Sequence, residues 1–196
     1  MLKRSHALLT LALAVPFTPA ALRGQSETGP VPPRFTVGGA FGGLTGATKL
    51  DGSGTADWRT GWAASLDGTY WLHRLWGVRA GATFGQDSVR GATISGRGKF
   101  NRVTYDADVV LRYPITSATA TMTPYVLGGA GGISVHQLGS DTWTKVGGNV
   151  GAGLEYRFGR WGVRAEGRDY VYKFDRYGFD KTQHEVAWQG GVTVSF

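Results

Sequence analysis

From about residue 34 onward the sequence alternates. Eight segments, at about 34–44, 58–72, 76–86, 100–113, 122–135, 145–158, 161–173 and 183–196, carry apolar or small side chains at every second position. That is the period of a β-strand with one apolar face. Nowhere do eighteen apolar residues follow one another, so no membrane-spanning helix is predicted. Glycine, 32 of 196 residues, interrupts nearly every window that could otherwise be helical.

The apolar faces carry almost no charge. They read Phe35, Val37, Gly39 and Phe41; Trp62, Ala64, Leu66, Gly68, Tyr70 and Leu72; Trp76, Val78, Ala80, Ala82 and Phe84; Val103, Tyr105, Ala107, Val109, Leu111 and Tyr113. The fifth segment, the weakest in register, offers Tyr125, Leu127, Gly129, Gly131 and Ile133. Then come Val146, Val150, Ala152, Leu154, Tyr156 and Phe158; Trp161, Val163, Ala165 and Gly167; and Val186, Trp188, Val192, Val194 and Phe196. The opposite parity holds Ser65, Asp67, Arg79, Asp106, Asp108, Arg112, Asn149, Glu155, Arg157, Arg164, Glu166, Arg168 and Gln189. A soluble barrel turns its apolar face inward; a lipocalin-like carrier is the form that reading would take. A membrane barrel turns the apolar face to lipid and the charged face to the lumen. Such a sheet must close, because an unpaired edge in lipid costs several kcal/mol per backbone group.

The connections alternate in length. Those near 73–75 and 159–160 are tight and 114–121 is moderate, whereas 45–57, 87–99, 136–144 and 174–182 are longer and polar. An outer-membrane barrel has short periplasmic turns and long outer loops, which places both termini in the periplasm. Aromatic residues agree. Tyr70, Trp76, Tyr113, Tyr125, Tyr156, Phe158, Trp161 and Phe196 all fall at periplasmic strand ends on the parity assigned to lipid, where an interfacial girdle belongs. Trp62 and Phe84 are candidates for the outer girdle. The expected architecture is therefore all-β: an eight-stranded antiparallel up-and-down transmembrane β-barrel over 34–196.

The first residues read as an address. Lys3 and Arg4 precede an apolar run of eleven, Ala7 to Phe17, followed by small residues at Thr18, Ala20 and Ala21. Eleven residues in a helix cover about 17 Å, too short for a hydrocarbon core of about 30 Å, so a secretory signal peptide over 1–24 is expected, cleaved between Ala20 and Gln25. An irregular leader fills 25–33. The formal charge of +7 includes Lys3, Arg4 and Arg23, and no acid precedes Glu27. Removing those three leaves +4, spread among acids, which is not a nucleic-acid footprint. Cysteine is absent, which excludes disulfides, thiolate metal sites and cysteine nucleophiles.

With this layout in place, the chain resembles the small outer-membrane barrel family that includes the OmpA transmembrane domain, OmpX and the opacity-type proteins. The resemblance covers about 34–196. It rests on the eight alternating segments, on the glycine-rich run Thr123-Pro-Tyr-Val-Leu-Gly-Gly-Ala-Gly-Gly132, and on a terminal strand ending Gln189-Gly-Gly-Val-Thr-Val-Ser-Phe196. In that family the last strand closes on an aromatic residue preceded by apolar residues at every second position. Val186, Trp188, Val192, Val194 and Phe196 match, with Gly190 as a gap. The resemblance implies that the barrel-insertion machinery reads this strand. It also sets the expectation that no peptidoglycan-binding domain follows Phe196.

Candidate chemistry is sparse. Asp67, Asp106, Asp108, Glu155 and Glu166 can be balanced by Arg79, Arg112, Arg157, Arg164 and Arg168, and eight strands leave an interior about wide enough for side chains. A salt-bridged plug is expected; a narrow pore for ions or small solutes is the alternative. Asp106 and Asp108 share a face, but facing arginines keep both ionised, so neither is poised as an acid catalyst. His73, His136 and His184 fall in turns or near loops. Barrel-shaped lipid A deacylases and palmitoyltransferases use His with Ser at the rim; here Ser134 precedes His136, the reverse of the deacylase order, and no acid partner is evident. Asp51-Gly-Ser-Gly-Thr-Ala-Asp57 lacks the ligand repeat of a calcium loop. Gly128–Gly132 has no Lys-Ser/Thr and no following helix, so it is not a phosphate loop. Lys173-Phe-Asp-Arg-Tyr-Gly-Phe-Asp-Lys181 mixes aromatic and charged residues, as recognition surfaces do. The expectation is a monomeric, non-enzymatic barrel with a structural or surface-recognition role and no cofactor or metal. Its partners would be outer-membrane lipid, the insertion machinery and an extracellular ligand at the outer loops. A lipid-modifying enzyme is the remaining alternative.

Overall fold

The computed structural model describes residues 33–48, 57–90, 99–137, 142–174 and 181–196. The expected signal peptide and almost all of the leader, the glycine-rich loop 51–56 and the segment 175–180 lie outside those residues. Eight long strands run in chain order: β1 Phe35–Gly46, β2 Asp57–Trp71, β3 Trp76–Arg90, β4 Lys99–Arg112, β5 Thr121–Gln137, β6 Thr142–Phe158, β7 Trp161–Phe174 and β8 Lys181–Ser195. A two-residue strand, Ile115–Thr116, pairs with the start of β5.

Every strand pairs antiparallel with its neighbours in sequence, and β1 closes on β8 from Thr36↔Ser195 to Gly46↔Glu185. The result is a closed eight-stranded up-and-down barrel. Phe35 and Phe196 complete the seam: the Phe196 amide donates to Phe35 O (2.8 Å) and the Phe35 amide donates to Phe196 O (3.2 Å). Closure leaves no edge that lipid could expose.

The three short connections share one end. In Leu72–Leu75 the His73 amide donates to Trp76 O (3.0 Å). Ser117 closes the β4–β5 link on Ala120 O through its amide (2.8 Å) and its hydroxyl (3.0 Å). Gly159 and Arg160 join β6 to β7, and Gly159 has φ +60°, a conformation that strains any side-chain-bearing residue. We call this the short-turn end. β2 carries one irregularity, between Arg59 and Trp62.

The two faces decide which side is lipid. Val146, Leu66, Phe41 and Trp188 are 83%, 68%, 64% and 56% exposed on the outside, while Arg79, Asp108 and Arg164 are buried inside. The outward parity matches the sequence expectation on seven strands.

The eighth case is a correction. On β5 the expected lipid face, Tyr125, Leu127, Gly129, Gly131 and Ile133, points into the barrel; Tyr125, Leu127 and Ile133 are buried, and Met122 and Val126 face out instead. Tyr125 is therefore not part of the aromatic girdle. Both parities of this segment are apolar or glycine, so alternation carries no information there. The phenol decides. Inside, Tyr125 Oη donates to Glu166 Oε2 (2.7 Å), and its cross-strand partner Gly153 leaves room for the ring, because a Cβ there would lie 2.4 Å from it. Tyr125→Phe should lower unfolding stability by about 1.5–3 kcal/mol, the usual worth of a hydrogen bond to a charged group, read by urea titration in lipid vesicles.

Candidate functional site: the filled lumen

Three tiers of side chains fill the interior. At the short-turn end the Arg112 guanidinium lies 3.4 Å from the Trp71 ring centroid, and its Nε donates to Arg74 O (3.0 Å). Trp71 Nε1 donates to Thr36 Oγ1 (3.0 Å), which contacts Ser195 Oγ (3.1 Å). Glu155 and Arg157, half-buried on β6, belong to this end.

The middle tier brings together seven of the ten expected lumen charges. Arg79 Nη1 donates to Glu166 Oε2 (2.7 Å), and its Nε lies 3.5 Å from Asp67 Oδ1. Arg164 grips Asp67 with both terminal nitrogens, one at 2.9 Å. Arg168 reaches Glu166 Oε1 (3.0 Å), Asp106 Oδ1 (2.8 Å) and Asp108 Oδ2 (3.2 Å). Asn149 Nδ2 donates to Asp108 Oδ1 (2.8 Å). These contacts join β2, β3, β4, β6 and β7 across the barrel. Each arginine fork meets planar carboxylates, the geometry in which a buried ion pair recovers its desolvation cost.

The third tier lies toward the long-loop end. Arg102 pairs with Asp87 (2.9 Å) and with Glu185, and Tyr172 Oη donates to Glu185. Around this trio sit Leu44, Ala63, Ile133, Val135, Trp143, Tyr170, Tyr172 and Ala187, an apolar cluster inside a membrane barrel. The Trp143 and Tyr172 rings lie 6.5 Å apart. Two small voids border the middle tier, one beside Asp106, Asn149 and Tyr170, the other beside Asp67, Arg164 and Gln189. Each offers about 10 Å³, room for about one water.

A family model described as the outer membrane protein beta-barrel domain matches residues 7–196. The chain belongs to that family. This outer-membrane barrel is similar in fold to neisserial surface protein A, at a TM-score of 0.58 and 14% identity, over 85% of this chain and all of that one. It is also similar to outer membrane protein AlkL in lipid bilayers, at 0.50 and 13%, over 88% and 95%. The outer membrane enzyme PagL is similar at 0.41 and 11%, over 82% and 99%. Among curated proteins no sequence matches. The barrel therefore resides in an outer membrane.

Ser134 and His136 lie two positions apart on β5, and His184 lies away from them on β8. Ser134 Oγ contacts Thr144 Oγ1 (2.8 Å), and His136 Nδ1 contacts Thr142 Oγ1 (2.8 Å). His73 Nδ1 accepts from the Leu75 amide (3.2 Å) within its turn. His184 has the carboxylate partner that sequence did not reveal: its Nδ1 lies 2.9 Å from Asp169 Oδ2 on the outer surface of β7 and β8. Among the described residues no cluster of three or more His, Asp or Glu could hold a metal.

The charges that sequence reading missed are Asp87, Arg102 and Glu185. Asp87 lay beyond the expected end of β3, which runs to Arg90. Arg102 and Glu185 had a usable signal, since they share parity with Asp106 and Gln189 on their own strands.

Proposed function

We propose that this barrel is a sealed scaffold with a structural or surface-recognition role, with its short-turn end in the periplasm and its long connections outside. The carrying observation is the filled lumen. Three charged or aromatic tiers occupy it from end to end, and an ion crossing it would have to break fully buried ion pairs. A narrow pore is thereby disfavoured. Catalysis is disfavoured because Ser134 and His136, neighbours on β5, each bond a threonine of β6, while the His184–Asp169 pair lies apart on β7 and β8.

Aromatic rings at the short-turn end, Tyr70, Trp76, Tyr113, Tyr156, Phe158 and Trp161, are exposed outward at one level and support an interfacial girdle. Val186, Trp188, Val192 and Phe196 also face outward. That arrangement supports a terminal strand read by the insertion machinery before the β1–β8 seam closes.

Replacing 49–56, 91–98, 138–141 and 175–180 by minimal turns tests the role. The barrel should still fold, shown by faster migration in detergent gels before heating. Cells displaying the wild-type barrel should bind immobilised matrix proteins or glycans that cells displaying the loopless form do not. Equal binding at equal display would contradict recognition and leave a structural role.

A further inference from the structure

The short-turn rim carries an uneven charge. Segments 33–36, 70–77, 112–123 and 155–162 hold five arginines, Arg34, Arg74, Arg112, Arg157 and Arg160, and a single acid, Glu155, half-buried on the lumen parity of β6. Arg112 and Arg157 turn into the lumen; Arg34, Arg74 and Arg160 are exposed. The three exposed residues are fixed by their own carbonyls. Arg34 O accepts from the Trp71 amide (2.9 Å), Arg160 O from the Ser195 amide (2.8 Å), and Arg74 O from Arg112 Nε (3.0 Å). Each is thus anchored to the last rung of the barrel. Around the rim they follow one another, Arg74 at the β2–β3 turn, Arg34 at the start of β1, and Arg160 in the β6–β7 turn beside the end of β8. The β4–β5 connection opposite has no charge.

Their height is set by the aromatic girdle. Arg34 precedes Phe35, Arg160 precedes Trp161, and the Arg160 guanidinium lies 5.1 Å from the Phe196 ring centroid. Phe35, Trp161 and Phe196 are all exposed outward. Girdle rings sit at headgroup level, so the guanidiniums next to them stand among lipid headgroups rather than far out in the periplasm. A guanidinium fork matches phosphate oxygens two at a time.

We propose that Arg34, Arg74 and Arg160 form a binding arc for anionic phospholipid headgroups in the leaflet at the short-turn end. The arc selects anionic lipid from the surrounding annulus and fixes the depth of the barrel. The proposal takes its leaflet from the orientation above, but the arc's lipid preference does not depend on which compartment it faces.

The test uses the full barrel in phosphatidylcholine vesicles doped with brominated phosphatidylglycerol or brominated phosphatidylcholine. Trp76 and Trp161, exposed outward at this end, report contact by fluorescence quenching. The wild type should prefer the brominated anionic lipid by about fivefold, the effect of one arginine at a charged surface. R34Q/R74Q/R160Q should fall to about onefold while keeping its unheated gel mobility. Should that variant fail to fold, molar salt on the wild type should abolish the preference by screening. A wild-type preference near onefold, or one unchanged by substitution and by salt, overturns the proposal. So does co-sedimentation with peptidoglycan that the triple variant loses while lipid preference stays at onefold, which would assign the arc to an acidic wall polymer. Orientation is read separately, by protease access to the long loops on intact cells.

Discussion

Arg168→Met should cost the barrel about 3–5 kcal/mol of unfolding free energy, the cost of leaving buried charges without their partner. Arg168 is the hub of the middle tier. It contacts Glu166, Asp106 and Asp108 at 3.0, 2.8 and 3.2 Å, and the side chains of both aspartates are almost wholly buried. Without it Glu166 keeps Arg79 (2.7 Å), but Asp106 and Asp108 lose the guanidinium between them. Methionine keeps most of the side-chain volume, so the loss is electrostatic rather than a cavity. Adding Asp106→Asn and Asp108→Asn to Arg168→Met removes the stranded charges and should restore at least half of the lost stability. Urea titrations in vesicles check both variants: the midpoint should move and the slope should not. A single variant as stable as wild type would mean that water already screens this tier.

Gly131→Ala should cost about 3 kcal/mol, the upper end of what overpacking does. A Cβ at Gly131 would stand 1.9 Å from the carbonyl oxygen of Tyr105 and 2.7 Å from Cα of Asp106. Both are backbone atoms of β4, directly across the pair Asp106↔Gly131. No rotamer relieves this contact, so β5 must move away from β4 or lose rungs of the ladder. Gly167 supplies the control. It faces outward on β7, and a Cβ there would meet nothing within 4 Å. Gly167→Ala should change stability by less than about 0.5 kcal/mol. The two substitutions add the same methyl group, and the difference between them measures how closely the strands must approach. Unfolding midpoints for both, taken in the same vesicles, check the pair.

Much of this architecture is written in the order of residues. On β2, β3, β4, β6, β7 and β8 the charged parity stands against an apolar parity, and the strands form where alternation places them. Where both parities are apolar or small, as in β5, the two orientations are equivalent to a reader of sequence. They become unequal only when Tyr125 meets Glu166, 41 residues away. The middle tier shows the same division. That arginines and carboxylates would share the lumen follows from parity. That Arg79 pairs with Glu166 and Arg164 with Asp67, across 87 and 97 positions, depends on how the cylinder closes. The aromatic filling of the long-loop end was hidden for another reason. Trp143 fell outside the expected β6, which starts at Thr142. Tyr170 and Tyr172 continue the parity of Arg164, Glu166 and Arg168, but a large ring reads as a lipid-facing residue until its hydroxyl finds a partner. Tyr170 Oη meets Thr83 Oγ1 (3.3 Å) inside the barrel.

The central claim is that the lumen is closed by its own side chains. Single-channel recording of the purified barrel in a planar bilayer tests it most directly, with folding shown beforehand by unheated gel mobility. Three tiers of paired charge and packed rings predict a silent membrane at either polarity in molar potassium chloride. Reproducible unitary steps from the wild type, altered in size by Trp143→Ala, would contradict the claim and make the barrel a pore.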